Sequence, residues 1–267
     1  MSDKNSKSLI ERPIGLFDSG VGGLTVMREL IRALPYENVL YFGDTARLPY
    51  GNKSPSAIVR FSLENGDFLL RQQCKLLIVS CHTACSYALE VLQKALPIPV
   101  LGVRDAGIAD LRAATKTKRV AVLGTAATIS AGIFQTLLSD LEVVPIACPL
   151  FVPLVEEGFQ DHAATRQIAE HYLFPLKNRG IDAVLLGCTH YPLLSGVIQE
   201  VLGPTVQLIE PAKSTADAAR ALLQKQGLLN EKDSAPTYQF FASDDPEKFR
   251  RLAKIFFPHP IDKVCLV

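Results

Sequence analysis

The sequence predicts an α/β fold of two pseudosymmetric lobes, each a mostly parallel sheet flanked by helices, with an active site in the cleft between them. Three observations lead to this prediction. Short runs of continuous apolar residues alternate with helix-length amphipathic stretches, which is typical of parallel strands buried on both faces. The chain repeats this pattern over a long period. Small or polar residues, several of them reactive, follow the apolar runs.

Seven apolar runs are predicted to be strands, and the amphipathic stretches between them are predicted to be helices. The strands are residues 14–17, 39–42, 76–79, 120–123, 143–146, 183–186 and 206–209. The helices are residues 24–34, 55–72, 163–179 and 215–225. Ligands of open α/β sheets bind beyond the carboxyl ends of the strands, so the residues that follow each run are the first candidates for a site.

The long-period repeat favours two related halves. The first half reads IGLFDSG and later LLIVSCHT, and the second reads VAVLGTAAT and later AVLLGCTH. Asp18 precedes Cys81 by 63 residues, and Gly124 precedes Cys188 by 64 residues. Two successive α/β units of similar length would give the same spacing without a duplication. On either interpretation, each half contributes one cysteine at a strand end.

The lobe boundaries are predicted from proline. A proline-rich stretch, residues 96–102, breaks the preceding helix and favours extended backbone, so we expect the chain to cross to the second lobe there. A return near Glu210 and Pro211 is the matching expectation. We therefore assign residues 1–13 to a flexible N-terminal tail, residues 14–101 and 211–267 to lobe 1, and residues 102–210 to lobe 2.

Composition narrows the classes of function. Of 267 residues, 48% are hydrophobic, and 28 Lys and Arg face 27 Asp and Glu, so no net field favours a nucleic acid or a membrane surface as partner. The first thirteen residues are polar, and no later segment is apolar over the length of a membrane span. We expect a cytoplasmic protein whose six cysteines are reduced thiols.

Cys81 and Cys188, at two strand ends, are predicted to act as a pair. Two thiols of similar proton affinity on opposite sides of a carbon atom could remove a proton from one face and return one to the other. Each needs a neighbour that exchanges its proton, since a free thiol is mostly protonated at neutral pH. Asp18 is the candidate base beside Cys81, and His190 is the candidate beside Cys188. The alternative is that each cysteine packs in the core.

The loop that follows the first strand, residues 18–23, opens a helix, and its backbone N–H groups could hold a carboxylate. It does not fit a nucleotide-binding fingerprint. Hydroxyls at Ser19, Thr83, Thr125 and Thr189 could bind the ammonium and carboxylate groups of a zwitterion, although such residues also commonly cap helices. A zinc site built from the two cysteines with His82 and His190 is the alternative of a different class.

Segments along nearly the whole chain resemble the glutamate racemase family of the cofactor-independent aspartate/glutamate racemase superfamily. The matching motifs are IGLFDSGVGGLTV, YFGDTARLPYG, LLIVSCHTA, LGTAATI, CPLFVPLVEEG and LLGCTHYPLL. The resemblance implies a small-molecule substrate, glutamate, that is racemised without pyridoxal phosphate, a supply of D-glutamate for peptidoglycan, and a homodimer. No cofactor and no metal are expected. A racemase of another small acidic amino acid, or a related one-cysteine decarboxylase, stays open.

The same resemblance implies residue roles. Cys81 and Cys188 match the two proton-transferring cysteines, with Asp18 and His190 as their assisting groups. The substrate-binding positions are Asp18, Ser19, Tyr50, Gly51, His82, Thr83, Thr189 and His190. One of the two adjacent glutamates, Glu156 and Glu157, matches an assisting carboxylate.

Two positions depart from the family: Cys85 stands where a serine is usual, which is the milder change, and His82 stands where an asparagine is usual. Imidazole is larger than the amide, can carry charge, and keeps one acceptor when neutral. We therefore expect activity that is weaker, or unusually dependent on pH, compared with the His82→Asn variant.

Overall fold

Two parallel sheets organise the molecule in the computed structural model, which describes residues 8–232 and 235–267. Every strand pairing within them is parallel. The alternation of buried strands and amphipathic helices predicted from the sequence is therefore present. No helix in the described residues is long and apolar enough to cross a membrane.

The first sheet has the order β10-β9-β2-β1-β3-β4. Its strands are β1 (Ile14–Asp18), β2 (Val39–Gly43), β3 (Leu76–Val79), β4 (Val100–Gly102), β9 (Tyr238–Ala242) and β10 (Cys265–Leu266). Every residue of β1, β2 and β3 is buried, because helices cover both faces, and this explains their continuous rather than alternating hydrophobicity.

The second sheet has the order β6-β5-β7-β8. Its strands are β5 (Arg119–Gly124), β6 (Glu142–Ala147), β7 (Ala183–Gly187) and β8 (Gln207–Ile209). The succession β2-β1-β3-β4 in the first sheet is the same arrangement of four consecutive strands. Cys81 follows the third strand of the first set, and Cys188 follows the third strand of the second. The pseudosymmetry predicted from the repeat is therefore present in the strand order.

Eleven α-helices lie among the described residues. They are α1 (Leu24–Ala33), α2 (Pro55–Arg71), α3 (His82–Ala95), α4 (Val103–Ala114), α5 (Ala126–Ser130), α6 (Ile133–Leu137), α7 (Phe151–Glu156), α8 (Ala163–Leu173), α9 (Ser195–Leu202), α10 (Ala212–Lys225) and α11 (Pro246–Phe256). The helix predicted over residues 163–179 is shorter than expected. It ends at Leu173, and a 3-10 turn, Phe174–Leu176, follows because Pro175 cannot donate the next helical hydrogen bond.

Two helices connect the sheets. Helix α4, directly after β4, packs on β7 and β8 of the second sheet, and α10 packs on both α4 and α1. The chain leaves the first sheet at Gly102 and rejoins it at Tyr238. This places the active-site ends of both sheets on either side of one cleft.

The end of the predicted N-terminal tail is hydrogen-bonded to the first lobe. Residues Leu9–Glu11 form a 3-10 turn, and the Glu11 carbonyl accepts a 2.8 Å hydrogen bond from the Asn38 amide. The buried Lys75 ammonium donates to the Ile10 carbonyl and forms a 2.6 Å ion pair with Glu37. Residues 1–7, the rest of that tail, lie outside the described residues.

Candidate active site

A narrow cavity lies where the carboxyl ends of β1, β3, β5 and β7 face one another. The residues around it follow strands of both sheets, or lie in the loop between β2 and α2 or in α7. They are Ser19, Gly20, Leu48, Pro49, Tyr50, Gly51, Cys81, His82, Thr83, Thr125, Val152, Glu156, Cys188, Thr189 and His190. The topological rule for open α/β sheets therefore holds for both sheets at once.

Nearly all of the residues singled out from the sequence line this cavity. Asp18 and Glu157 are the exceptions, and Asp18, which is 1% exposed, directly precedes the loop that lines the cavity. Tyr50 lines the cavity, but its hydroxyl is already engaged, donating to Asp44 and accepting a 3.0 Å hydrogen bond from the Asn65 amide. Tyr50 therefore has no free hydroxyl to offer a ligand.

Cys81 occupies the N-cap of α3, where its sulfur accepts a 3.5 Å hydrogen bond from the Ala84 N–H. Its thiol lies 3.7 Å from the Ser19 hydroxyl. Burial and, to a smaller extent, the nearby Asp18 carboxylate raise the pKa of the Cys81 thiol to about 11, although the N–H and hydroxyl contacts act in the opposite direction. The thiol needs a base to ionise, and the positive end of α3 is positioned to stabilise the thiolate that forms.

The Asp18 side chain is hydrogen-bonded by its own loop. The Gly20 N–H donates a 2.9 Å hydrogen bond to Asp18 Oδ2. The sequence indicated that the N–H groups of this loop could hold a carboxylate, and the carboxylate that Gly20 contacts is that of Asp18. The other oxygen, Oδ1, is buried and has no hydrogen-bond partner among the described residues. Burial raises the pKa of the Asp18 carboxyl, and the charge of His190 opposes that rise. A carboxylate made more basic in this way suits acceptance of a proton from Cys81.

Cys188 lies on the opposite side, directly after β7. Burial raises the pKa of its thiol, the backbone N–H of His190 opposes the rise, and negative charge on Cys81, Asp18 and Glu156 adds to it. Because each ionised group in this small volume disfavours ionisation of the next, the two thiols cannot easily both become thiolates. The cavity therefore opposes the presence of two thiolates at once.

His190 is hydrogen-bonded to a carboxylate. Its Nε2 lies 3.0 Å from Glu156 Oε1, and both side chains are largely buried. Glu157, the neighbouring glutamate, is exposed and does not line the cavity. The structure thus distinguishes the two glutamates that the sequence left equivalent.

Three threonine hydroxyls join the two sides of the cleft. Thr83, in the first turn of α3, lies 2.9 Å from the Thr125 hydroxyl and 3.0 Å from that of Thr128, and the latter two are 2.9 Å apart. The Thr125 hydroxyl also accepts a hydrogen bond from the Thr128 N–H and so caps α5. Helix capping was the alternative role that the sequence offered for these hydroxyl residues. Thr128 was missed from the sequence, although a threonine three residues after an N-cap is a usable signal.

Glycine is required where the two sides approach most closely. A Cβ on Gly22 would lie 2.2 Å from Thr189 Oγ1 and 2.6 Å from His190 Nδ1. A Cβ on Gly51 would lie 2.6 Å from the Thr125 Cβ. These separations are too short for any side chain, so both glycines permit contact between the lobes.

His82 begins α3 and is 3% exposed, with its Nδ1 buried and without a hydrogen-bond partner among the described residues. Burial, aided by the nearby Arg104 guanidinium, lowers the pKa of His82 to about 3. Desolvation therefore favours the neutral imidazole, so the charge that the sequence allowed at this position is not expected near neutral pH. Its effect on the cavity is one of size and hydrogen bonding.

The zinc alternative finds no support in the geometry. Among residues 8–232 and 235–267, no group of three or more His, Cys, Asp or Glu side chains is arranged to hold a metal ion. Cys81 and Cys188 are instead surrounded by N–H groups, hydroxyls and a carboxylate, which are partners for proton transfer.

Comparisons with known proteins show the family of the chain. The sequence profile of the Asp/Glu/Hydantoin racemase family matches residues 14–219. The chain is 46% identical over 260 residues to a glutamate racemase of Chlorobaculum parvum, covering 96% of each chain. The glutamate racemase of Francisella tularensis, solved in complex with D-glutamate, superposes with a TM-score of 0.91 at 36% identity, covering 97% of this chain and 98% of that one. The Thermus thermophilus glutamate racemase, in complex with β-chloro-D-alanine, superposes with a TM-score of 0.89 at 43% identity, covering 97% of both. The chain belongs to the Asp/Glu/Hydantoin racemase family.

Proposed function

We propose that this protein is a glutamate racemase that interconverts L- and D-glutamate with two cysteines and no cofactor. The observation that carries the proposal is that Cys81 and Cys188, from the matching strands of two sheets, line one cavity. The 46% identity over nearly full length to a glutamate racemase supports glutamate as the substrate rather than another acidic amino acid.

The reaction follows from the two thiols. One cysteine, as the thiolate, removes the α-proton of glutamate, and the electron pair is left on Cα. The other cysteine, as the thiol, donates its proton to the opposite face of Cα and becomes the thiolate. The next turnover in the reverse direction uses the same groups with their roles exchanged. Burial raises the pKa of both thiols, which makes each thiolate a stronger base toward a weakly acidic C–H bond.

Assisting groups set the proton on each thiol. Asp18, with one unpaired oxygen, accepts the proton of Cys81, and His190, held by Glu156, does so for Cys188. The hydroxyls of Ser19, Thr83 and Thr189, with the backbone at Tyr50 and Gly51, bind the carboxylate and ammonium groups of the substrate. His82 completes the wall beside Cys81 as a neutral group.

We extend the proposal to the setting of the reaction. The enzyme acts in the cytoplasm as a homodimer and supplies D-glutamate for peptidoglycan, in keeping with the family that it resembles. The lobes comprise residues 14–101 with 211–267, and residues 102–210, so that the strands of the first sheet, apart from Gly102 at the end of β4, belong to one lobe and β5–β8 belong to the other.

Incubation of the purified protein with L-glutamate in D₂O tests the proposal. We expect optical rotation to decay to zero while NMR detects deuterium at Cα, first in the D-glutamate formed. L-aspartate under the same conditions is the control for substrate class, and we expect it to racemise at least a hundredfold more slowly. Stable rotation of L-glutamate, or equal rates for the two amino acids, would contradict the proposal.

A further inference from the structure

The last helix, α11, contacts the active-site imidazole from outside the cavity. The Phe256 ring packs against the His190 ring with a centroid distance of 4.9 Å and an interplanar angle of 72°. Phe256 is 1% exposed and lies beyond residues 14–219, the part of the chain that matches the family profile. A segment outside that match therefore touches a residue of the site.

His190 needs more than its hydrogen bond to be fixed. The single 3.0 Å contact between Nε2 and Glu156 restrains the position of that nitrogen more than it restrains the plane of the ring. The backbone at Gly22 limits the ring on the Nδ1 side, where a Cβ would lie 2.6 Å away. An edge-to-face aromatic pair contributes about 0.5–1.5 kcal/mol beyond its buried area, and it constrains the plane of the ring.

We propose that Phe256 is a positioning residue that holds the His190 imidazole in the plane from which it exchanges a proton with Cys188. The same helix supports the other side of the site, because Phe249 packs on Tyr41 with a centroid distance of 5.9 Å. The Tyr41 hydroxyl donates a 2.9 Å hydrogen bond to the Gly20 carbonyl, in the loop that follows Asp18.

The matched comparison is Phe256→Leu against Phe257→Leu. Phe257 is the next residue and is similarly buried, but its ring packs on Phe240 and His259 instead of His190. Both variants lose one buried aromatic ring, so their thermal stabilities should fall alike. We expect Phe256→Leu to lower kcat about tenfold with little change in KM, since small misplacements of a catalytic group are costly. Phe257→Leu should stay within about twofold of the parent protein.

The same substitution in a His190→Ala protein distinguishes a positioning role of Phe256 from a general loss of stability. In a His190→Ala protein, Phe256→Leu should lower kcat no further, because the ring that it positions is gone. Equal losses of kcat in Phe256→Leu and Phe257→Leu, or an undiminished loss in the His190→Ala background, would overturn the inference.

The kinetic test depends on the proposed function, so a measurement without turnover accompanies it. The chain has five histidines, which makes ¹⁵N-histidine NMR spectra simple to assign. The imidazole signals of His190 should shift or broaden in Phe256→Leu and stay unchanged in Phe257→Leu. If glutamate is not racemised, the proposed function fails while these spectra still decide the inference, and unchanged His190 signals in Phe256→Leu would refute it.

Discussion

Replacement of Glu156 by glutamine tests the assisting role of His190. The substitution keeps the shape of the side chain but removes the charge that holds His190 Nε2 at 3.0 Å. Hydrogen bonds to a charged group contribute about 1.5–3 kcal/mol and neutral ones about 1 kcal/mol. The side chains are only 7% and 16% exposed, so solvent screens little of the difference. A loss of about 1–2 kcal/mol corresponds to a fall in kcat/KM of about 5- to 30-fold.

The assay compares glutamate enantiomers deuterated at Cα. If Glu156 acts through His190 on Cys188, Glu156→Gln slows the proton transfer at Cys188 and leaves that at Cys81 unchanged. The isotope effect should then rise for the enantiomer whose proton Cys188 removes and fall for the other. The exposed neighbour supplies the control, and Glu157→Gln should change neither rate nor isotope effect. Equal changes for both enantiomers, or an effect of Glu157→Gln as large as that of Glu156→Gln, would refute this reasoning.

Three further substitutions have defined outcomes. Gly22→Ala places a Cβ 2.2 Å from Thr189 Oγ1, so we expect kcat/KM to fall at least a hundredfold, whereas Gly196→Ala, with open space around it, leaves kcat/KM unchanged. The pKa of His82 is about 3 in the folded protein and about 6.5 in the unfolded protein. Between these two pH values the unfolded state binds more protons, so the free energy of unfolding decreases as the pH falls. Urea unfolding at pH 6.5 and 4.5 should show the parent protein losing about 2 kcal/mol more than His82→Asn, and equal losses would contradict the neutral imidazole. Lys75→Met leaves its glutamate partner buried without a counter-charge, so we expect a loss of about 3–5 kcal/mol in unfolding free energy with unchanged kcat, and a fully stable variant would contradict this.

The fold was largely predictable because its strongest signals are local. Continuous apolar runs marked the central strands of both sheets, and the repeat anticipated their shared order. Of the strands that were missed, β4 and β10 are short and lie at the two edges of the first sheet, and proline obscured β4. Strand β9 is only partly buried, and the exposed Gln239 interrupts its apolar run. Proline also ended α8 earlier than its amphipathic pattern suggested, at Leu173.

The site residues could be predicted from local sequence only where they directly follow a strand. Cys81 and Cys188 follow apolar runs, so sequence position alone placed them at the same kind of edge. The choice between Glu156 and Glu157 depends on a contact across 34 residues, and no local pattern reports that contact. The neutral state of His82 likewise depends on burial and on Arg104, neither of which its sequence neighbours indicate.

The most direct test of the two-cysteine account is the exchange of the glutamate α-proton in D₂O by Cys81→Ser and Cys188→Ser. Each variant retains one thiol, so each should exchange the α-proton of one enantiomer only, and the two variants should select opposite enantiomers. Racemisation should fall by about 10²–10⁴-fold in both, the usual contribution of a positioned acid or base. Exchange of both enantiomers by either variant, or near-normal racemisation without one of the thiols, would contradict the account.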